Sequence, residues 1–296
     1  DDTFKSFFTA ANFLAYGTDL RVVRSVGAAA KNAVANGTAL LITNEQNYKE
    51  NYVANNTTLF HAKYPGTLGN SITVSIADST TYSGWTYESY FDSAPGTSSW
   101  ASNKGSVADE LHIVVIDSKG LITGTAGTTL ERFGYVSKAS DAKNPDGSSN
   151  YYKDVINSRS QYIWWMDHTT AVGAGTAWGS AADNASFKSL LAPSTIDLSG
   201  GTDDLSPTDG NLMDSWSIFA DDSSYDIRLI PLGKASSTVA NYVISSVAEV
   251  RLDCVVFASP QNVDSGDVII ASGSAATDAI IAYRNALPSS SYAVLD

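Results

Sequence analysis

Side chains that can act as acids, bases or metal ligands are few and scattered in this sequence. Its three histidines stand at positions 61, 112 and 168, far outside the short spacings of metal-binding motifs. His112 lies between Leu111 and Ile113 in an alternating run, so we predict that it faces solvent on a strand. Nothing near the histidines in the sequence forms a nucleophile–base pair. The histidines therefore indicate neither a metal site nor a catalytic pair.

Two acid-rich loops have the composition of calcium sites without their spacing. When Gly147 takes the sixth position of a calcium loop, the first ligand becomes Ala142 and the twelfth Lys153, and neither offers a carboxylate. The loop that ends at Gly210 fails in the same way, because Leu205 would be its first ligand. The sequence predicts no metal site and no cofactor.

Two turns follow predicted core strands, at the place where open α/β sheets bind ligands. Residues 231–234 lack the spacing of a phosphate-binding loop, and Ser259 lacks the flanking glycines of a nucleophile elbow. Trp164 and Trp165 could stack on sugars or bases, but a buried strand at a domain seam explains them better. We therefore name no catalytic, cofactor-binding or metal-binding residue, and we predict that the protein is not an enzyme.

Composition and charge exclude further partners. The net charge of −13 argues against a nucleic-acid partner, because phosphate contacts need clustered Lys and Arg. The only cysteine, Cys254, lies in a predicted buried strand, which leaves no disulfide framework. No apolar run approaches the length of a transmembrane helix, so we predict no membrane partner. The sequence starts at Asp1 without an initiator methionine, and we expect a piece of a longer protein.

The elements that would position any site are clearest in residues 206–260. Ser206 is a predicted N-cap with Pro207 at the first helical position, and an apolar stripe follows at 212, 213, 216, 219 and 220. Residues 227–230 are a predicted strand that Pro231 ends. The order predicts one helix against one strand of a sheet.

A second helix and strand complete this segment. Ser236 and Ser237 are predicted caps, and the predicted buried face consists of Val239, Tyr242, Val243, Val247 and Val250. Arg251 suits the carboxyl end of that helix. Residues 254–258 form a continuous apolar run, which is typical of a strand buried on both faces. Strand, helix and strand in this order imply a right-handed parallel crossover.

The amino-terminal residues have the same predicted helix–strand pattern as residues 206–260. Phe4, Phe7, Phe8, Ala11 and Leu14 lie on one helical face, Gly17 stands where a left-handed C-cap would be, and residues 20–26 are a predicted strand. About 175 residues of another character separate the two segments. We predict an α/β fold, α+β overall, with a discontinuous α/β core of residues 1–27 and 201–296 and an inserted β-rich domain of residues 28–200.

The inserted region shows short strands and turns. Predicted strands cover residues 71–76, 111–117, 130–137 and 161–166, and residues 121–123 are predicted to form a hairpin with 111–117. A helix is predicted at about 150–157. The Gly- and Ala-rich stretch 169–185 predicts a mobile loop. A core helix at 274–286 and a terminal strand at 292–295 return the chain to the first domain.

Several segments together resemble the tail sheath protein of contractile-tailed bacteriophages of the T-even and cyanophage-like type. Two are fairly specific: the helix end Asn12-Phe13-Leu14-Ala15-Tyr16-Gly17 and the corner Tyr64-Pro65-Gly66-Thr67-Leu68-Gly69-Asn70. They lie within the matching segments 10–24 and 62–72, and the other matching segments are 148–165, 198–201, 209–221 and 252–256. They occur in the family's order and span most of the chain. Residues 27–58 are too short to hold the extra outermost domain of the large T-even protein.

The resemblance implies a structural subunit that polymerises around a tail tube and contracts to drive the tube through the host envelope. Its implied partners are neighbouring sheath subunits in stacked rings, the tail tube protein, and the baseplate and tail terminator proteins. The implied location is the virion tail, with assembly in the host cytoplasm. The terminal segments by which family members link to neighbours are absent from the sequence, and we expect them to carry the basic residues that its acidic core lacks.

Two other functions are compatible with the residues. One is an acidic cell-surface or carbohydrate-binding module, and the other is an α/β hydrolase. A sheath subunit predicts repetitive self-association, a binding module predicts saturable binding of sugar or calcium, and a hydrolase predicts turnover of an ester.

Overall fold

The computed structural model describes residues 3–53, 58–261 and 273–295. The chain packs into two compact units. One unit is discontinuous and joins Asp1–Gly27 to Leu205–Asp296, and the other consists of Ala28–Asp204. They are called here the discontinuous unit and the inserted unit.

Most helices are short. In chain order they are α1 Thr3–Leu14, α2 Glu45–Asn51, α3 Ser99–Asn103, α4 Tyr152–Arg159, α5 Asp209–Ser217, α6 Ser237–Val243, α7 Glu249–Arg251 and α8 Ser274–Ala286. Turns of 3-10 helix occur at Thr67–Ser71, Glu88–Tyr90 and Ile218–Ala220, and a π-helical turn at Ile244–Ala248 joins α6 to α7.

The strands form three sheets in the described part of the chain. They are β1 Phe60–Ala62, β2 Ile72–Asp78, β3 Glu110–Asp117, β4 Thr128–Ser137, β5 Ile163–Trp165, β6 Ser194–Asp197, β7 Leu229–Pro231, β8 Val255–Ala258 and β9 Ala293–Leu295. The strand orders are β1-β5, β4-β3-β2-β6 and β7-β8-β9. The first two sheets are antiparallel and the third is parallel. The predicted α+β class is confirmed.

The parallel sheet is the centre of the discontinuous unit. Leu229 pairs with Val255, and Val256 pairs with Ala293. The strand predicted at 227–230 is shorter and later than expected, and it includes Pro231. Proline is tolerated there because β7 lies at the edge of the sheet, where a missing N–H breaks no ladder hydrogen bond. The predicted parallel pairing is confirmed.

The predicted start of α5 is wrong. Thr208, and not Ser206, is the N-cap, and Pro207 lies before the helix. The Thr208 hydroxyl accepts from the Asn211 backbone N–H, while the Asn211 side chain accepts from the Thr208 N–H. This reciprocal capping box satisfies two amides, where the predicted serine cap would satisfy one. The apolar stripe is confirmed, and its members pack against the core of the unit: Leu212, Met213, Trp216, Phe219 and Ala220.

The second core helix begins as predicted, because the Ser236 hydroxyl accepts from the Val239 N–H at 3.2 Å. Val239, Val243 and Val247 are buried, but Val250 is 62% exposed, contrary to prediction. The π-helical turn explains the difference. Its wider turn shifts the helical phase after position 243, so that the spacing of an α-helix no longer places residue 250 inward.

The amino-terminal helix α1 is confirmed, but its apolar face is not covered within the described residues. Phe7, Phe8 and Leu14 are each at least half exposed. Gly17 does not have the predicted left-handed conformation; a Cβ at Gly17 would lie 3.0 Å from the Phe13 ring. The absence of a side chain at Gly17 therefore allows its backbone to pack against the Phe13 ring. Residues 20–26 are not a strand, because they have no ladder partner in the described structure.

The inserted unit has a four-stranded antiparallel sheet at its centre. β2 pairs with β3 over its whole length, from Ile72 opposite Asp117 to Asp78 opposite Leu111. Every residue of β2 is buried, so the period-2 pattern does not mark a solvent face here. One core cluster combines this sheet with α4 and the β1-β5 ribbon.

Three predicted elements of this unit differ in the structure. The hairpin partner of β3 is β4, and residues 121–123 form a turn within the connecting loop, where Gly120 has φ 73°. The helix predicted at 150–157 lies at 152–159. The predicted loop 169–185 is held in place by backbone pairing, since Val172 bridges Leu190 and Thr176 bridges Phe187.

Candidate functional site

The histidines lie in separate packing environments and form no shared site. Among residues 3–53, 58–261 and 273–295, no group of three or more His, Cys, Asp or Glu could hold a metal ion. His61 and His112 are fully buried, and His168 is half-buried. Sequence analysis placed His112 in solvent, and that prediction is wrong.

His112 is held on both ring nitrogens. Nδ1 accepts from the Tyr135 N–H at 3.1 Å, and Nε2 donates to the Ser93 carbonyl at 3.0 Å. The ring stacks on Phe91 with centroids 3.9 Å apart. Burial lowers the pKa of His112, which keeps the ring neutral. The alternation Leu111-His112-Ile113 led to a wrong prediction for His112 because both faces of β3 are covered.

His168 contacts two tyrosine hydroxyls at the start of α4. Its Nδ1 lies 2.6 Å from the Tyr152 hydroxyl, and its Nε2 lies 3.4 Å from the Tyr151 hydroxyl. The Trp165 indole donates to the Tyr152 hydroxyl at 2.9 Å. Burial raises the pKa of Tyr152 well above its usual range and lowers the pKa of His168. The cluster stays neutral and packs the core.

His61 has a less complete environment. Its Nδ1 lies 3.2 Å from the Thr58 hydroxyl, whereas Nε2 has no hydrogen-bond partner in the described structure. Burial lowers the pKa of His61 to about 4. A buried histidine that stays neutral is a structural group whose protonation opposes folding.

Trp164 and Trp165 are 2% and 4% exposed, which confirms the prediction of a buried strand. Trp164 stacks on Tyr48 with centroids 4.5 Å apart, and the Lys63 ammonium lies 4.2 Å from the Trp164 ring centroid. These neighbours occupy the ring faces that a sugar or base would need.

A buried ion pair is the feature of the inserted unit that sequence analysis missed. Lys138 Nζ lies 2.9 Å from Asp78 Oδ2, and both side chains are almost fully buried. The ammonium also donates to the carbonyl oxygens of Ala108 and Lys188, each at 3.1 Å. Asp78 Oδ2 also accepts from the Leu190 N–H at 2.8 Å. Three acceptors for three ammonium protons make this a structural pair, and nothing in the local sequence signals it.

The pKa directions of the pair follow from these contacts. Burial lowers the pKa of Lys138, although Asp78 opposes that change. For Asp78, burial raises the pKa, but Lys138 and the hydrogen bonds outweigh burial and lower it. The carboxylate therefore stays ionised near neutral pH.

In the acid-rich loop 141–147, the Asp141 carboxylate forms hydrogen bonds with other parts of the inserted unit. The Lys104 ammonium donates to Asp141 Oδ2 at 2.6 Å, and the Ala182 N–H donates to Asp141 Oδ1 at 2.8 Å. Burial alone would raise the pKa of Asp141, but these contacts together outweigh burial and lower it. The oxygens that calcium would need already have partners. Cys254 is buried, and burial raises the pKa of its thiol.

The discontinuous unit has a groove of about 530 Å³. It is lined by residues of α1 and α5, by residues 19–23 and 25, and by residues 226–235. The last of these ranges includes β7, which lies at the edge of its sheet among the described strands. Phe13, Leu212 and Trp216 contribute an apolar lining. The groove has the apolar walls and the strand edge that can receive an extended polypeptide.

Exposed large apolar side chains are concentrated in the same unit. Among the described residues, those of the discontinuous unit are Phe7, Phe8, Leu14, Tyr16, Val22, Leu205, Ile218, Leu229, Val250, Leu252, Ile280, Ile281 and Val294. The longer inserted unit has Tyr64, Leu68, Tyr90, Val107, Leu121 and Leu191. The discontinuous unit therefore exposes more large apolar side chains than the inserted unit, although it has fewer residues.

The titratable groups described above are packed within the fold, and among the described residues the discontinuous unit exposes more large apolar side chains than the inserted unit. No helix of the described residues has the length and hydropathy to cross a bilayer.

A sequence comparison finds a relative among bacteriophage tail sheath proteins. The chain is 34% identical over 128 residues to the tail sheath protein of Salmonella phage ViI. The match covers 43% of the chain and 18% of the length of that relative. It confirms the resemblance to a bacteriophage tail sheath protein, a viral structural protein. No family model matches.

A comparison of structures finds the sheath tail protein Lin1278 from Listeria innocua. It is 14% identical and covers 96% of this chain and 60% of that chain, with a TM-score of 0.35. A score this low gives the likeness no weight for fold or function.

Proposed function

We propose that this chain is part of a contractile phage tail sheath subunit, which polymerises around a tail tube and contracts to drive the tube through the host envelope. The observation that carries the proposal is the concentration of exposed apolar side chains on the discontinuous unit. Buried between subunits, such side chains would stabilise an assembly by roughly 25 cal/mol for each Å² removed from water. The partial identity to a phage tail sheath protein supports the same role.

The two units would have different tasks in such an assembly. The discontinuous unit would form the core that contacts neighbouring subunits and the tail tube protein, and the inserted unit would protrude. Baseplate and tail terminator proteins would contact the ends of the polymer. The assembled protein would reside in the virion tail after assembly in the host cytoplasm.

The groove suggests how neighbouring subunits could connect. Residues 20–26 have no ladder partner in the described structure, and β7, which also lines the groove, is an edge strand among the described strands. An extended segment of another subunit could pair with the β7 edge and bury its side chains against Phe13 and Trp216. Backbone pairing of this kind would persist while subunits slide relative to each other.

The other two functions have less support. A hydrolase needs a nucleophile within reach of a base, and each histidine is surrounded by the packing contacts described above. A dedicated carbohydrate-binding module would not need a unit with so large an apolar surface. The sheath role, without enzymatic activity, explains that surface.

Electron microscopy of the full-length protein that contains this chain tests the proposal. Leu229 is 49% exposed and lines the groove, so we expect Leu229→Asp to abolish tubular polymers because it places a charge in a subunit contact. Leu121 is 54% exposed on the inserted unit and gives a matched control. We expect Leu121→Asp to polymerise normally. Normal tubes from a folded Leu229→Asp variant, or no tubes from the unmodified protein, would contradict the proposal.

A further inference from the structure

Asn36 and Gly37 form the one Asn-Gly dipeptide of the sequence, and they lie in an exposed loop of the inserted unit. We propose that Asn36 is a site of covalent modification, where the side-chain amide is lost by spontaneous deamidation. The reaction needs only water, and it converts Asn36 to aspartate or to the β-linked isomer isoaspartate. The inference goes beyond the sheath role and does not depend on it.

The reaction begins within the chain. The Gly37 backbone nitrogen loses its proton to hydroxide and attacks the carbonyl carbon of the Asn36 side chain, and the side-chain nitrogen leaves as ammonia. The new C–N bond closes a five-membered succinimide ring. Water then adds to one of the two ring carbonyls and opens the ring. Attack from within the chain is favoured because the two reacting groups are already neighbours, and glycine has no Cβ to hinder the approach.

The reacting groups are not engaged by the fold. The Gly37 N–H donates to no acceptor among the residues that the structure describes, and the Asn36 side chain likewise has no hydrogen-bond partner there. Both residues are exposed, so hydroxide and water reach them. No native hydrogen bond of the described residues therefore has to break before the ring closes.

The backbone of the loop is free to adjust. Asn36 has φ 61° and Gly37 has φ 125°, conformations that favour asparagine and glycine respectively. Before the loop, the Ala35 N–H donates to the Phe60 carbonyl at 2.9 Å. Residues 36–39 themselves make no backbone–backbone hydrogen bond in the described structure. The main chain at Asn36 can therefore rotate toward ring closure without unfolding the unit.

Other asparagines that precede a small residue are protected. In Asn32, Asn70 and Asn157, the side-chain oxygen accepts from a backbone N–H and the side-chain nitrogen donates to another protein oxygen. Asn285 lies in α8, where the helix engages the N–H of the following residue. These contacts hold the amide or its attacking nitrogen away from ring closure.

Asn184 gives the most informative comparison. It is exposed and also has a positive φ, 47°. The next residue, Ala185, is buried, and its N–H donates to the Ser106 hydroxyl at 2.8 Å. The attacking nitrogen at this position is therefore engaged, whereas the one beside Asn36 is not.

Peptide mapping by mass spectrometry of the 296-residue chain, incubated at about pH 9 either folded or in urea, tests the proposal. Deamidation raises the mass of a peptide by about 1 Da, and fragment ions assign the change to one residue. In the folded chain, we expect Asn36 to convert at least about tenfold faster than Asn184, because only the Ala185 N–H must first leave its acceptor. Urea should accelerate Asn184 and leave the rate at Asn36 nearly unchanged.

Two variants separate the effect of structure from that of sequence. Ala185→Gly gives Asn184 the same following residue as Asn36, but the N–H still donates to Ser106. In the folded variant Asn184 should convert more slowly than Asn36, and in urea the two rates should be similar. Asn36→Gln should abolish the rapid conversion at position 36, because its longer side chain must close a larger ring.

Three results would overturn the proposal. The first is an Asn36 that converts no faster than Asn184 in the folded unmodified chain, and the second is conversion of Asn36 only in urea. The third is equal rates at positions 36 and 184 in folded Ala185→Gly. The first two comparisons use the unmodified chain, so they do not depend on the folding of a variant.

Discussion

At the scale of single residues, the ionisable side chains of the inserted unit stabilise structure. Lys138 is buried with three acceptors, and Asp78 is buried with donors from Lys138 and from the backbone. Burial of either charge alone would be costly, whereas the pair with its complete set of hydrogen bonds is tolerated. Removing one partner should therefore lower the free energy of unfolding by more than the intact pair contributes to it.

We predict that Lys138→Met destabilises the protein by about 3–5 kcal/mol, because Asp78 keeps a buried charge without its counter-ion. The double variant Asp78→Asn with Lys138→Met should recover part of that loss, since the uncompensated charge is gone. Urea unfolding at neutral pH gives both free energies. A single variant that costs less than about 1 kcal/mol would show that the carboxylate is not uncompensated in this way.

His61 makes stability depend on pH. Its pKa falls to about 4 on folding, whereas an unfolded histidine has a pKa of about 6.5. The unfolded state therefore binds more protons between these values, and the free energy of unfolding decreases as pH falls through this window. The contribution is at most about 3 kcal/mol below pH 4.

The measurement is urea unfolding between pH 7 and pH 4, with His61→Leu as the comparison. We expect the variant to show a shallower loss of stability on acidification, because Leu does not titrate. His112 and His168 also have lowered pKa values and leave a residual slope. Equal slopes for the variant and the unmodified protein would contradict the role of His61.

At the scale of elements, helix ends and turns decide where each predicted segment begins. The capping box of Thr208 and Asn211 moves α5 past Ser206 and Pro207, and the π-helical turn at Ile244–Ala248 turns Val250 to solvent. Arg251 then fixes the end of this helical stretch. Its guanidinium donates to the carbonyl oxygens of Phe219, Asp221 and Tyr225, which connects two segments that are distant in sequence.

We predict that Thr208→Ala destabilises the protein by about 1 kcal/mol, because the Asn211 backbone N–H loses its side-chain acceptor. Thr208→Ser keeps the hydroxyl and should retain most of the stability. Thermal unfolding followed by circular dichroism compares the two. If the alanine and serine variants unfold at the same temperature, the capping box does not stabilise α5.

At the scale of the whole molecule, the two units suggest a chain interrupted by an insertion. The ends of the inserted unit are held together by reciprocal backbone bonds: the Lys31 N–H donates to the Thr202 carbonyl at 3.0 Å, and the Thr202 N–H donates to the Lys31 carbonyl at 3.1 Å. A segment whose two ends meet can be inserted without extending the host fold. That the inserted unit folds independently remains a prediction.

We expect residues 28–204, expressed alone, to unfold cooperatively, because their core is internal to the unit. Limited proteolysis of the whole chain should cut near the exposed residues 28–29 and 205–206 and leave this unit intact, because residues 31–35 and 198–202 are paired within it. The segment 169–185 should resist cleavage, since backbone pairing with residues 186–190 holds it. An early cut between 111 and 137, or a fragment without cooperative unfolding, would contradict the prediction.

The sequence by itself determined the types of most helices and strands, the parallel pairing of β7 with β8 and the resemblance to phage tail sheath proteins. These follow from local spacing of apolar residues, from proline and glycine positions, and from motifs. It did not determine that His112 is buried, that residues 20–26 lack a ladder partner, or that Asp78 meets Lys138. Burial depends on what covers the second face of a strand, and pairing depends on residues distant in the chain.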